Sequence, residues 1–319
     1  MSRPLSVTAA LAALLVVVAL RAPAFFAAAN LRDLAVAAAP LLIVASGMTL
    51  VMLARQIDIS IGSQFAICGV VAGLLARAGL PMPLVGAGTM LAGAALGSIN
   101  GLLVARAGLP AIVVTLATLV AWREALRWAT EGVWVQDLPA GFQWFGLGQD
   151  AGRVIVGGVA VAVWAGLAWA LGYTRGGRAI YAAGSDAEVA RLLGVRVRTV
   201  VFGVFAGMGA LTGLAALLSS IQFIDVQTNA GVGLELTAIA AVVVGGTAVS
   251  GGRGTLVGTL TGVALLATVG PALTFLGAHA AWERALHGAI ILVAVSADVW
   301  SRRRPRLPDV TTAEVAHAG

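Results

Sequence analysis

The sequence predicts an all-α, polytopic membrane protein with about ten transmembrane helices and both termini in the cytoplasm. Three observations predict it. Hydrophobic residues make up 60% and charged residues only 11% of the 319 positions, with a mean hydropathy of +0.97, whereas a soluble domain carries roughly a quarter charged residues. Apolar runs recur along the whole chain, each near the ~20 residues that a ~30 Å hydrocarbon core requires. The arginines fall mainly in alternate loops, the asymmetry that sets membrane orientation.

The expected crossings are 5–20, 34–54, 59–76, 83–105, 111–129, 154–173, 199–221, 234–249, 255–276 and 285–300. The first is preceded by Arg3 and followed by Ala22-Pro23-Ala24, a pattern shared with a signal peptide, but it is read as a retained helix. Residues 1–300 form one transmembrane domain that includes a cytoplasmic loop at 174–198, and 301–319 form a cytoplasmic tail. With both ends inside, Arg3, Arg55, Arg106, Arg175, Arg178, Arg191, Arg196, Arg198, Arg253 and the tail arginines face the cytoplasm. Arg21, Arg32, Arg77, Arg153 and Arg284 fall outside, and Arg123 and Arg127 belong to the fifth crossing or its outer end. The opposite orientation reverses this bias.

The outer loop 130–152 mixes Trp134, Phe142, Trp144 and Phe145 with polar residues, as suits a segment at the membrane interface or one that touches an external partner. The inner loop contains Ser185-Asp186-Ala187-Glu188, a helix-start signal with Glu three positions on, so a short helix is expected there. Glycines recur at four-residue spacing in the pairs 93/97, 97/101, 203/207, 209/213 and 258/262. Such pairs either bring helix backbones together in lipid or merely reflect a glycine-rich composition.

The positive charge of +6 rests on arginine, because the sequence contains no lysine. A nucleotide-binding P-loop requires that lysine, so the chain does not hydrolyse ATP by this route and any ATPase is another polypeptide. The arginines occupy short loops, not a soluble basic face, so no nucleic acid partner is expected. Cys68 is the only cysteine, which excludes an intrachain disulfide and a thiolate metal site. His279, His287 and His317 show no paired metal spacing, and no catalytic constellation is visible. Neither metal nor cofactor is expected. A chain of acidic or histidine residues through the crossings, as a proton-driven carrier needs, is missing too.

Polar residues inside crossings are costly and mark either a cavity or an interhelical contact. Asp58, Ser60 and Ser63 stand between two crossings, as a site for solute hydroxyls or as a capped helix start at the inner surface. Asn100 lies within the fourth crossing, and Gln56, Gln64, Thr115 and Thr118 lie near other helix middles or ends. The run 225–235, with Gln227, Asn229 and Glu235, is expected at the outer face, at the mouth of a cavity.

These segments resemble the permease subunits of the ribose and autoinducer-2 class of ABC importers. The likeness runs through Gly47-Met48-Thr49-Leu50-Val51-Met52-Leu53, Ile57-Asp58-Ile59-Ser60-Ile61-Gly62-Ser63, Asn100-Gly101, 110–119 and 233–247. Glu188-Val189-Ala190 followed by Gly194 is similar to the E-A-A-x-x-x-G signature that seats a coupling helix in the ATPase. Arg55-Gln56 before Ile57-Asp58, and 131–140, look closest to autoinducer-2 permeases, with rhamnose permeases next.

The resemblance implies an inner-membrane subunit that works with an ABC ATPase, an identical or homologous second permease, an external solute-binding protein and the surrounding lipid. It implies ATPase coupling through Asp186, Glu188, Ala190, Arg191 and Gly194. The path for a small sugar-like solute would then involve Asp58, Ser60, Ser63, Asn100, Gln227, Asn229 and Glu235. The rivals are a rhamnose or ribose permease of the same class and, outside it, an ATP-independent channel, a secondary carrier or a membrane-embedded enzyme.

Overall fold

A computed structural model describes residues 3–279 and seven further positions, Trp282, Glu283, Ala285, Leu286, Gly288, Ala289 and Leu292. Helices dominate. They are α1 (Arg3–Arg21), α2 (Ala28–Leu53), α3 (Ile61–Arg77), α4 (Met82–Ala105), α5 (Ala111–Thr130), α6 (Gln149–Tyr173), α7 (Arg175–Ser185), α8 (Ala187–Leu192), α9 (Val197–Ser220), α10 (Leu234–Val244) and α11 (Leu256–Phe275). Nine of the ten expected crossings correspond to α1–α6 and α9–α11. The tenth, 285–300, and the tail 301–319 lie largely or wholly outside the described residues.

Five helices, α2, α4, α6, α9 and α11, are both long and apolar enough to cross a membrane on length and composition. The others depart from that standard in informative ways. α5 has the length but carries Arg123, Glu124 and Arg127. α10 has only 11 residues, about 16 Å at 1.5 Å per residue, roughly half a bilayer. The expected eighth crossing, 234–249, is therefore a half-length helix followed by irregular chain.

α2 and α9 supply much of the buried interior, including Ile43, Met48, Met52, Phe205, Met208 and Leu218. α1 packs on α11: Val7 clusters with Val244 and Leu265, while Val18 and Phe25 meet Ala272, and Phe25 sets its ring edgewise to Phe275. The first helix is thus seated in the bundle. Between α2 and α11 the hydroxyls of Thr49 and Thr259 share a hydrogen bond of 2.6 Å.

The glycine pairs separate into two kinds. Gly93 and Gly97 of α4 press directly on the backbone of Gly209 and Phe205 in α9, and Gly213 presses on Thr89 and Met90, so a methyl at these glycines would enter another main chain. Gly258 and Gly262 meet Gly245 and Ala241 in the same way, and Gly101 touches Phe202. Gly203 and Gly207, at identical spacing, face open space. Close backbone approach lets helices associate where lipid removes the hydrophobic driving force.

The inner loop folds into two helices. α7 begins at Thr174, whose hydroxyl accepts the N–H of Gly177 at 3.1 Å. The helix starting near residue 185 is α8, but its cap is Asp186, one position later than the Ser-x-x-Glu pattern suggests. The Asp186 carboxylate accepts the N–H groups of Glu188 at 2.9 Å and Val189 at 3.0 Å, while its own N–H closes α7 on Ala182. One residue thus joins the two helices, and a carboxylate is the stronger acceptor at a helix start.

Candidate functional site

The break between α2 and α3 organises the first cluster. α2 ends as the amides of Arg55 and Gln56 fold back onto the carbonyls of Met52 and Val51 at 2.9 and 3.0 Å, with Arg55 in the left-handed region at φ 62°. Asp58 then turns the chain: the Ser60 N–H and hydroxyl donate to its Oδ1 at 2.9 and 2.6 Å. Gln64, in the first turn of α3, donates to Asp58 Oδ2 at 3.2 Å and to Ser60 Oγ at 2.8 Å. Asn100 of α4 donates to the same Ser60 oxygen at 2.8 Å.

All four of these side chains are fully buried, as is Ser63, whose hydroxyl donates to the Ser60 carbonyl at 2.8 Å. Asp58 is a buried carboxylate surrounded by donors, the arrangement that makes a charge tolerable away from water. Two acceptors of the cluster, Gln64 Oε1 and Asn100 Oδ1, have no hydrogen-bond partner. The structure therefore brings Asp58, Ser60, Ser63 and Asn100 together, adds Gln64, and makes the cluster the start of α3, with no exposed surface.

The run 225–235 lies elsewhere than its expected place at the outer face. Its beginning does sit with the outer loop, since Val226 and Val135 exchange two backbone hydrogen bonds of 3.0 Å. From there the chain descends alongside α3. Gly73 and Gly69 face Val226, and Gly62 faces Gly231 and Glu235, so a methyl at Gly62 would meet the Glu235 carboxylate and the Gly231 carbonyl. The segment thus covers eleven residues of α3, about 16 Å, before α10 begins at membrane depth. The physical reason is the groove left by Gly62, Gly69 and Gly73 on one stripe of α3, a 7-and-4 spacing that the sequence contained but that falls outside the paired pattern. Irregular backbone is tolerated at this depth only when packed in protein or lining water.

Arg123 anchors the descent. From the middle of α5 its Nη1 donates to the Ala230 carbonyl at 2.9 Å, and its Nη2 approaches Gly62 beside Glu235. The sequence left Arg123 either within the fifth crossing or at its outer end; the structure has it inside α5, and it was not among the residues expected to form a site, although a charge within an apolar run was a signal available. Gln227 and Asn229 are exposed, as are Glu124 and Arg127 on α5 and the apolar Val120, Val232 and Leu236.

Beside α7, three backbones knit. The Gly252 N–H donates to the Leu53 carbonyl at 2.9 Å. Gly184 of α7 lies against that carbonyl and against Gly252, Gly251 packs on Arg55, and Gly252 packs on Ser185. The Tyr181 hydroxyl donates to the Gly254 carbonyl at 2.8 Å. Of the residues expected to couple to an ATPase, Ala190 is buried, while Asp186, Glu188, Arg191 and Gly194 are exposed. Gly194 takes φ 82° and closes the helix. Val189, Leu192 and Leu193 are exposed as well, at 50%, 84% and 78%, an apolar surface that the signature did not single out. The Asp186 carboxyl is held below its usual range by the Val189 and Glu188 N–H groups, with Arg55 and Arg191 adding to the effect.

The described residues form an all-α fold with several helices long and apolar enough to cross a membrane. Residues 30–295 match the family described as the branched-chain amino acid transport system permease component, and the chain belongs to that family. Among curated proteins it is 37% identical over 255 residues to the autoinducer 2 import system permease protein LsrC of Salmonella typhi, covering 79% of this chain and 73% of the relative. It is 37% identical over 261 residues to the protein of the same name from Escherichia coli, covering 81% and 75%. No solved structure matches. The chain is a membrane-embedded transport component.

Proposed function

We propose that this chain is the transmembrane permease of an ABC importer that carries a small sugar-like solute, autoinducer-2 or a monosaccharide such as rhamnose or ribose, into the cytoplasm. A separate ATPase drives it, a second permease completes the path, and an external binding protein delivers the solute. The names of the relatives support autoinducer-2 as the first solute to try.

The observation that carries this reading is the continuous mechanical link from α8 to the polar break in the bundle. α8 exposes Leu192 and Leu193 toward a partner, Asp186 joins it to α7, and α7 rests through Gly184 on Leu53, five residues before Asp58. A rigid displacement of α8 by a closing ATPase therefore reaches the α2–α3 break without passing through a flexible loop. In this reading Asp186, Glu188, Arg191 and Gly194 present the coupling helix and Ala190 anchors it. Gln227, Asn229 and Glu235 border the path, and Asp58, Ser60, Ser63 and Asn100 form the pivot beside it.

Uptake into vesicles tests the reading. Permease, ATPase and binding protein together accumulate solute only with ATP. Accumulation by the permease alone, downhill or with an ion, would replace the importer by a self-sufficient carrier.

A further inference from the structure

Arg123 and Glu235 come from different elements, α5 and the first turn of α10, and meet at Gly62, whose missing side chain leaves room for both. Glu235 uses Oε1 to accept the N–H of Gly233 at 3.2 Å, and its Oε2 is covered yet has no hydrogen-bond partner. Arg123 spends Nη1 on Ala230 and does not close a salt bridge with Glu235. Opposite charges this near each other in an apolar setting ordinarily join, and an unsatisfied carboxylate oxygen out of water is costly. An open donor–acceptor pair of this kind is preorganised for a third party.

We propose that the gap between Arg123 and Glu235 is where the solute is gripped in transit, and that the ligand class is a neutral polyhydroxylated ring. The inference rests on the transport reading above. The Glu235 Oε2 atom accepts a solute hydroxyl proton, and the Arg123 guanidinium donates to a neighbouring hydroxyl or ring oxygen. The two charges offset each other, which favours a solute that presents donors and acceptors together over an ion of either sign.

Reconstituted permease, with ATPase and binding protein, is assayed for uptake of autoinducer-2, ribose, rhamnose and singly deoxygenated analogues of the best of these. In wild type, one deoxy analogue loses about tenfold to a hundredfold in kcat/KM, the value of a hydrogen bond to a charged group. In Glu235→Ala that analogue loses nothing beyond the parent sugar, KM rises, and ATP hydrolysis persists; Arg123→Ala behaves likewise for a different oxygen. Equal analogue penalties in variant and wild type, with all sugars slowed by a common factor, would make the pair purely structural and overturn the proposal. Glu235→Met keeps the length of the side chain without a hydrogen-bonding oxygen and decides the matter by the same comparison where the alanine variant fails to assemble. A wild-type complex that takes up none of these sugars defeats the transport reading itself, before any variant is compared.

Discussion

The N–H of Gly252 donates to the carbonyl of Leu53 across 2.9 Å, tying the chain after α10 to the last turn of α2, and Gly184 of α7 closes over the same carbonyl. Three elements far apart in sequence thus share one backbone contact just before the start of α8. A side chain at Gly184 has nowhere to go. Gly184→Val should separate α7 from α2, costing on the order of 1–3 kcal/mol by overpacking. Uptake should be abolished while ATP hydrolysis by the assembled complex continues. Parallel assays of uptake and phosphate release check this; tightly coupled transport in the variant would refute it.

Substitution at the glycine pairs should sort by position and not by spacing. Gly93→Leu and Gly209→Leu force side chains into the facing backbone and should lower the thermal midpoint in detergent by several degrees, for ~1–3 kcal/mol. Gly203→Leu and Gly207→Leu meet open space and should stay within about 0.5 kcal/mol of wild type. Thermal scans of the four variants provide the comparison.

The exposed leucines of α8 are expected to bind the ATPase. Leu192→Asp or Leu193→Asp should abolish co-purification with the ATPase while leaving the permease folded, because neither side chain packs inside the chain. Retained co-purification would remove α8 from the docking surface.

Asp186 gives the coupling helix an acid-sensitive start. Its folded carboxyl lies below the usual value because two N–H groups stabilise the charged form. Its contribution is therefore complete above the unfolded value, about 3.9, and is lost as pH falls through the lower folded value. ATPase docking should be flat through neutral pH and weaken only in that acid range. Asp186→Ala should weaken docking at every pH and remove the acid limb, as binding measured across pH will reveal.

The pivot should be intolerant of apolar replacement. Asp58→Ala strands the Ser60 N–H, the Ser60 hydroxyl and the Gln64 amide, at roughly 1–3 kcal/mol for each buried donor left unpaired. Asp58→Asn, which keeps an acceptor, should cost much less. The order of expression and thermal stability, wild type above Asn above Ala, is the readout.

The long crossings were legible because lipid imposes a single requirement, apolar length, that composition alone satisfies. The short helix α8 was legible within the loop 174–198 because a cap at its start and a left-handed closure at Gly194 leave local marks. α7 was harder to see: Arg175-Gly176-Gly177 looks like a turn, and only the Thr174 hydroxyl and the tertiary seat of Gly184 make it helical. The descent of 225–233 could not be read locally at all. Its course is decided by a groove on α3 and by Arg123 of α5, more than a hundred residues upstream, and no periodicity within the segment reports either.

That descent has an engineering consequence. A stretch whose composition suggests a free surface connection is in fact held along α3, through Val226 against Gly69 and Gly73 and through Gly231 against Gly62, while Gln227, Asn229 and Val232 stay exposed. Tags, epitopes or spacer residues placed between Val226 and Gly233 would disrupt its packing against Gly62, Gly69 and Gly73 of α3, whereas the same insertions at the exposed Ala140 and Gly141 would leave that packing intact.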